Sequence, residues 1–360
     1  MEVVRVDEQE LRTTVQSLFE SYGLPPEDAA VVADALVEAD LMGISSHGVS
    51  NYIELLYVPG LTKGTIAPRP EFEVVRETAC TALVDGGGGM GHVVGARAMR
   101  LAIAKAAEHG IGMVTVRNSR HYGAAGYYSK MALDEDMIGL SLTNADGLVT
   151  PTHGKEAQLG TNPVAVAVPT DRQPPFLLDM ATSTVPLGKI MLAMREGREI
   201  PLGWAADQEG RPTTDPRIAF QAMNLLPLGG TYEQGSHKGY GLGMVVDILC
   251  GLLSGDGAAR GETIGTSMGH FFGALDVSHF LPVEGFKAEM DDYLARLQQT
   301  AAADPEEPVI YAGIKEARAR EERLREGIPL HAGVVAYLRE LCEERGVETR
   351  LGADRGAREP

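Results

Sequence analysis

Asp85-Gly86-Gly87-Gly88-Gly89-Met90-Gly91 is the stretch on which the reading of the fold turns. It contains G-x-G-x-x-G, follows a short apolar run at residues 81–84 and precedes a helical pattern at 93–107. A Rossmann dinucleotide site asks for that context. The next strand-like run, 112–116, ends at Arg117, where a basic side chain suits a 2′-phosphate and hence NADP. A run of glycines, however, matches the pattern by composition alone. The other reading is a tight strand-to-helix turn that needs positive φ or close backbone packing. The cofactor then has to be sought elsewhere in the chain.

Outward from this stretch, further β-branched or apolar runs at 138–142, 164–168 and 176–178 read as buried strands, and 124–134 reads as a helix. Together they define an α/β cofactor-binding unit over residues 72–220. Before it, residues 8–22 carry Leu11, Val15, Leu18 and Phe19 on one helical stripe. Pro25 and Pro26 open a second helix that runs out near Gly43, with Val31, Val32, Ala35, Leu36 and Ala39 at helical spacing. Pro59, Gly60, Gly64, Pro68 and Pro70 then mark a loop-rich connection. Beyond residue 220 helices dominate, at 240–253, 286–300, 314–326 and 332–345, before a polar tail at 352–360 that is expected to fray. The simplest arrangement is a helical domain built from both chain ends, 1–71 and 221–360, with the central α/β sheet domain inserted in it.

Composition limits the partners. The 360 residues include 44% hydrophobic and 23% charged residues, ordinary for a globular protein. A formal net charge of −18 repels nucleic acid and anionic membranes, so an anionic cofactor needs local basic groups or helix N-termini. Cys80, Cys250 and Cys342 are far apart and suggest no zinc site, and no metal is expected. They read as reduced thiols of a cytoplasmic protein. Residues 1–10 do not read as a signal peptide, and the apolar stretch 241–253, which contains Asp247, is too short to span a bilayer.

Four separated segments carry polar or glycine-rich residues that packing alone does not need. They are Ser45-Ser46-His47-Gly48-Val49; Asn118-Ser119-Arg120-His121-Tyr122-Gly123-Ala124-Ala125-Gly126; Gly160-Thr161-Asn162-Pro163 with Asp179-Met180-Ala181-Thr182-Ser183; and Ser236-His237-Lys238-Gly239-Tyr240-Gly241. Histidine beside serine suits acid–base work near neutral pH, with Ser46 orienting His47 or bonding the reacting oxygen. His121, followed by small residues that open a helix, places backbone N–H groups where a phosphate can sit. Residues 179–183 read as the end of a strand and the start of another helix, again an anion-binding end. Lys238 can neutralise a phosphate as a point charge. Each feature taken singly has a plainer reading, as a surface histidine, an N-cap serine or a solvated lysine; their coincidence is what points to a site.

Through Ser46-His47-Gly48-Val49, the run from His121 to Tyr128, Gly160-Thr161-Asn162-Pro163, Asp179-Met180-Ala181-Thr182-Ser183 and His237-Lys238-Gly239-Tyr240-Gly241-Leu242, the chain resembles the malate/L-lactate dehydrogenase family that lacks a Rossmann fold. That family includes the sulfolactate dehydrogenases, and the resemblance spans about residues 6–346. It implies a sulfolactate-dehydrogenase-like α/β fold, a homodimer, and NAD or NADP as cofactor for interconverting a small 2-oxo acid and its 2-hydroxy form. It further implies His47 as proton donor with Ser46 as relay, and His121 at the cofactor or as a base. Thr161 becomes a substrate contact. Cofactor contacts fall on His121, Tyr122, Gly123, Ala124 and Ala125, on Asp179, Met180, Ala181 and Thr182, on His237, Lys238 and Gly239, and on Ala312 and Gly313. Asn51 stands where many members carry an arginine that grips the substrate carboxylate, and Arg120 is the candidate replacement. Lys189 stands where the imine-reducing members have aspartate. Two rival readings remain: a Rossmann-type NADP reductase using Gly86 to Gly91, and a non-catalytic ligand-binding protein on the same scaffold.

Overall fold

The computed structural model describes residues 2–258 and 267–352, so most of the polar tail read at 352–360 lies outside the described residues. In chain order, β1 (Val3–Val6) precedes α1 (Glu8–Ser21) and α2 (Pro26–Leu41). Asp7 caps α1 by accepting the N–H groups of Gln9 and Glu10, and Pro26 occupies the first turn of α2. After a turn over residues 44–51, a π-helical turn (Ile53–Tyr57) runs into α3 (Val58–Lys63), closed by Gly64 at φ 74°. The punctuation of this region by proline and glycine predicts a loop. It is a helix because Pro59 lies in a first turn, where its missing N–H costs nothing, and Gly64 supplies the left-handed cap.

The chain continues through β2 (Glu73–Glu77), β3 (Thr81–Asp85), α4 (Gly91–His109), β4 (Ile111–Ser119), α5 (Ala125–Met131), β5 (Met137–Thr143), β6 (Val164–Val168) and β7 (Phe176–Met180). Next come α6 (Leu187–Glu196), the short strands β8 (Ala205–Ala206) and β9 (Pro212–Thr213), α7 (Pro216–Ala222), β10 (Asn224–Leu225) and α8 (Ser236–Asp247). The last elements are β11 (Met268–Asp276), α9 (Val283–Gln298), α10 (Ile314–Glu326), β12 (Ile328–His331) and α11 (Ala332–Arg345). The helix predicted at 240–253 begins at Ser236 and turns π-helical over Ile248–Leu252. The one predicted at 124–134 ends at Met131 and tightens into a 3₁₀ turn, Ala132–Glu135.

The strand order of the main sheet rules out the Rossmann alternative. Its seven strands run β2-β3-β4-β11-β5-β6-β7, and only β3 and β4 pair in parallel. A dinucleotide fold of that type is an open, mostly parallel sheet. The glycine run is filled by the protein itself. Gly86 N–H donates to Arg117 O, Gly87 N–H to Asp85 Oδ1, Gly88 N–H to Asn118 O and Gly89 N–H to Gly86 O. Gly87 and Gly88 have φ of 60° and 68°. The amides of Gly86 to Gly89 are thus taken by the protein's own oxygens, and Arg117 is paired with Asp85 at 2.9 Å.

β11 also corrects the reading of residues 221–360 as helical. This late strand sits in the middle of the sheet, hydrogen-bonded to β4 on one side and β5 on the other. The two chain ends do meet: β1 pairs with β12, and one buried core joins Leu11, Leu18, Leu36 and Tyr57 to Ile328, Leu338 and Cys342. A second core lies between the sheet and α4 and α5, around Val84, Met99, Val114, Tyr128 and Phe272. A third, around Val149, Ile190, Ile200 and Leu225, packs beside the small sheet β10-β8-β9.

Gly91 is the glycine whose replacement reports on the site. A Cβ there meets Arg120 O at 2.0 Å and His121 O at 2.5 Å, because the first turn of α4 lies directly under the end of β4. Gly91→Ala is therefore expected to lower the unfolding free energy by roughly 1–3 kcal/mol, the usual cost of overpacking. Chemical denaturation checks this; an unchanged midpoint refutes the contact.

Candidate active site

The turn that carries Ser46 and His47 is anchored from below. Asp40, in the last turn of α2, is fully buried, and its Oδ2 accepts the N–H of Val49 at 2.8 Å. A Cβ on Gly48 meets Asp40 Oδ1 at 2.1 Å, so this turn closes on the carboxyl only with glycine. Burial pushes the Asp40 carboxyl up to about 7, against the lowering effect of the Val49 N–H and of Arg323. Arg323, on α10, also donates to the Asp40 main-chain oxygen. Above this anchor, Ser46 Oγ lies 2.9 Å from His47 Nδ1, which leaves Nε2 directed elsewhere. Asn51 is exposed, with Nδ2 3.5 Å from Ser46 O.

His121 comes to the same place from the end of β4. Its ring stacks on that of His47 at 5.7 Å and 14° and lies 4.3 Å from Tyr52, centroid to centroid. Tyr57 Oη is 2.7 Å from His121 Nδ1, and the edge of His92 packs on the Tyr57 ring at 5.0 Å. Tyr52 and Tyr57 belong to this group only because of the π-helical turn between them. At α-helical spacing, residues five apart point about 140° from each other; the wider π turn brings both rings toward His121. The sequence offers only the five-residue spacing of the two tyrosines, which α periodicity reads as two different faces.

Removal from water governs the protonation of this cluster. His47 and His121 each keep a partly open face. Burial nevertheless pushes the His47 imidazole down to about 4 and holds His121 well below its usual range, with His47, His92 and His270 adding to the effect on His121. His92 and His270 are fully buried and fall to about 3. All four rings are neutral at pH 7.

The remaining candidate residues gather around β7. Asp179 Oδ2 accepts the N–H of Gly126 at 2.8 Å, so the start of α5, read as a phosphate seat, already faces the protein's own carboxylate. Burial raises that carboxyl to about 6. Leu177 N–H bonds Ala312 O at 3.0 Å, which sets Ala312 and Gly313 beside β7, where an open hollow of about 260 Å³ is lined by Leu177, Asp179, Tyr311 and Lys315. Thr182 N–H donates to Thr161 O at 2.8 Å, and the Asn162 side chain ties this corner to Gly243 O of α8 at 2.9 Å. The segment after Asp179 is not a helix start. Thr184 and Ser183 bridge to residues 226–227, and α6 begins only at Leu187 after Pro186.

His237 and Lys238 are exposed in the first turn of α8, which no side chain caps. Among the described residues no hydrogen bond, ion pair or ring contact joins them to the His47–His121 cluster. Arg120 points away from His121. Its Nε donates to Thr65 O at 2.8 Å and its Nη1 to Ser119 O at 2.7 Å. Tyr122 is buried, stacked between His270 and Tyr128. Lys189 lies over the Trp204 ring at 5.7 Å.

A mixed sheet with a late central strand places the chain outside the Rossmann class, and a paired serine and histidine facing a second histidine form the candidate site of an α/β enzyme. The comparisons with known proteins agree. The family model "Malate/L-lactate dehydrogenase" matches residues 6–339, and the chain belongs to that family of oxidoreductases. It is 45% identical over 350 residues to a malate dehydrogenase of Pyrococcus horikoshii, covering 96% of each chain. It is 38% identical over 336 residues to an L-sulfolactate dehydrogenase of Methanocaldococcus jannaschii, covering 92% of this chain and 94% of the relative. The crystal structure of a malate dehydrogenase from Entamoeba histolytica matches with a TM-score of 0.90 at 34% identity, over 97% of this chain and 100% of that one.

The buried histidines also predict how stability depends on pH. A histidine whose folded pKa is depressed contributes stability that is complete above its unfolded value, about 6.5, and is lost as pH falls from there through the folded value. His92 has neither ring nitrogen hydrogen-bonded. His92→Leu is expected to remove one proton's worth of pH dependence, about 1.4 kcal/mol per pH unit, from the unfolding free energy between about pH 6 and 4. Denaturant titrations across that range measure it, and a slope equal to that of the parent protein contradicts it.

Proposed function

We propose that this protein is a nicotinamide-dependent dehydrogenase that interconverts a small 2-hydroxy acid and its 2-oxo form at the face shared by His47 and His121. The observation that carries the reading is the Ser46–His47 pair. A ring fixed at Nδ1 by a 2.9 Å contact, neutral in the free protein, and stacked against a second histidine is placed to receive a hydroxyl proton on Nε2. Family membership and relatives named for malate, sulfolactate and hydroxycarboxylate support a hydroxy acid as substrate. Asn51 and Thr161 are the proposed substrate contacts. A substrate carboxylate held by Arg120 has to compete with the carbonyls of Thr65 and Ser119.

The uncapped start of α8 with exposed His237 and Lys238 suits the phosphates of NAD or NADP in an otherwise acidic protein. Asp179, Thr182, Ala312 and Gly313 would hold the cofactor along β7. A nicotinamide held there would provide the hydride chemistry. In the direction of oxidation, His47 takes the hydroxyl proton while Ser46 keeps its ring in register. In reduction the same nitrogen returns the proton to the carbonyl oxygen. A carboxylate brought beside His47 favours its charged form. The acid limb of kcat for oxidation is therefore expected at higher pH than that of kcat/KM, with activity lost as pH falls.

His47→Ala is expected to lower kcat by roughly 10²–10⁴-fold, the range of general acid–base catalysis, with cofactor affinity little changed. Cofactor absorbance with a panel of 2-hydroxy and 2-oxo acids reads both. Cofactor binding with no turnover on any acid would instead favour a ligand-binding protein.

A homodimer is part of the same proposal. α8 and its π-helical continuation expose Leu242, Met244, Val245, Ile248, Leu252 and Leu253, an apolar face of the kind that marks a protein contact. Sedimentation is expected to give twice the chain mass, reduced to one chain by Val245→Asp with Leu252→Asp. A parent protein that sediments as a single chain at micromolar concentration rules this out.

A further inference from the structure

Tyr57 has no part in the proton transfer described above, yet it makes the shortest polar contact to His121. Its ring is fully buried between Phe19 and His92, and its hydroxyl lies 2.7 Å from His121 Nδ1. A second group addresses the same nitrogen: the main-chain N–H of Gly123, at 3.4 Å. A backbone N–H can only donate. The Gly123 N–H therefore favours the form in which His121 Nδ1 presents its lone pair, and a neutral ring then carries its hydrogen on Nε2. In that form the Tyr57 O–H, at 2.7 Å, is the main donor to this single lone pair and the Gly123 N–H shares it.

No described residue hydrogen-bonds His121 Nε2, and the ring is partly open beside His47. Burial and the neighbouring imidazoles keep the ring uncharged. A neutral imidazole whose Nδ1 already accepts has no lone pair to offer at Nε2, so it cannot take a proton there.

We propose that Tyr57 and the Gly123 amide lock His121 as its Nε2–H tautomer, so that His121 meets the substrate as a fixed hydrogen-bond donor and not as a base, with Tyr57 as the positioning residue. The two histidines then divide the work. His47 moves the proton, and His121 holds or polarises an oxygen of the substrate from the opposite side. This rests on the reading of the His47–His121 face as the substrate site.

The test uses the whole protein labelled with ¹⁵N-histidine. Long-range ¹H–¹⁵N correlation spectra separate protonated from unprotonated ring nitrogens, and the signals of His121 are those that vanish in His121→Gln. The expected spectrum shows Nε2 protonated and Nδ1 bare, shifting toward a mixture in Tyr57→Phe. In activity, His121→Gln keeps an N–H near the position of Nε2 and is expected to stay within about tenfold of the parent kcat. His121→Leu is expected to lose roughly 10²–10³-fold, the scale of one lost donor to a developing charge. Tyr57→Phe is expected to lower kcat by about tenfold with cofactor affinity unchanged.

A wild-type spectrum with Nδ1 protonated, or His121→Gln as inactive as His121→Leu, overturns the tautomer proposal and leaves the site standing. Parent-level kcat in His121→Leu overturns the site reading itself. If Tyr57→Phe does not fold, the wild-type spectrum and the Gln/Leu pair still decide.

Discussion

The seating of β11 between β4 and β5 is the constraint on which the rest depends. β4 and β5 belong to neighbouring parts of the chain, but a strand from residues 268–276 separates them and satisfies the facing backbone groups of both. The inserted strand is buried from Met268 to Ala274. It brings His270 between two hydroxyls, Thr143 Oγ1 on Nδ1 and Ser119 Oγ on Nε2, each at 2.8 Å. The His270 ring stacks on Tyr122 at 4.5 Å and 4°, and Tyr122 stacks in turn on Tyr128. The residue next to His121 is thus held by two stacked aromatic rings, and Gly91 lies against the main-chain oxygens of Arg120 and His121.

The second determinant is desolvation. Four histidines lie close enough to influence one another, and each is held neutral mainly by removal from water. A charged cluster there would repel itself and resist burial. Neutral rings differ only in which nitrogen carries hydrogen, and the local hydrogen bonds set that. His47 is oriented by a serine hydroxyl, which can donate or accept, whereas His121 faces a main-chain N–H, which can only donate. Two residues of the same type can therefore do different chemistry a few ångströms apart.

The carboxyl group of Asp40 connects this chemistry to the helical layer. It lies under the Ser46–His47 turn, accepts the Val49 amide, and sits on a helix whose end is gripped by Arg323 of α10. Glu38, two residues earlier, pairs with Lys130 of α5 and Arg320 of α10, which hold it below the usual carboxylate range even though burial opposes this. The site is thus fastened to both chain ends, since α2 comes from the first and α10 from the last part of the sequence. β1 and β12 close the same layer at its edge.

Much of this was legible in the residues themselves. Hydrophobic periodicity marks α1, α2, α4 and the late helices, because a stripe of apolar side chains must face a core wherever that core lies. The runs at β3 to β7 were readable for the same reason, and Ser46 and His47, singled out by residue type, do lie in contact. The resemblance of five short blocks marked the family, as the matched model over residues 6–339 bears out. What the linear pattern did not contain is pairing at a distance. It assigns residues 268–276 no element within the part read as helical, because their place between β4 and β5 depends on partners more than a hundred positions away. The glycine run at 86–91 reads as a phosphate loop until Arg117, Asn118 and Asp85 are seen to fill it. Tyr52 and Tyr57 fall on separate faces of an ideal helix, and the π turn brings both toward His121. Local sequence determines which surfaces must be buried and which groups can exchange protons. Which of them meet, and which nitrogen of a ring bears the hydrogen, is decided by tertiary contacts, because a hydrogen bond depends on where its partner is held and not on what precedes it in the chain.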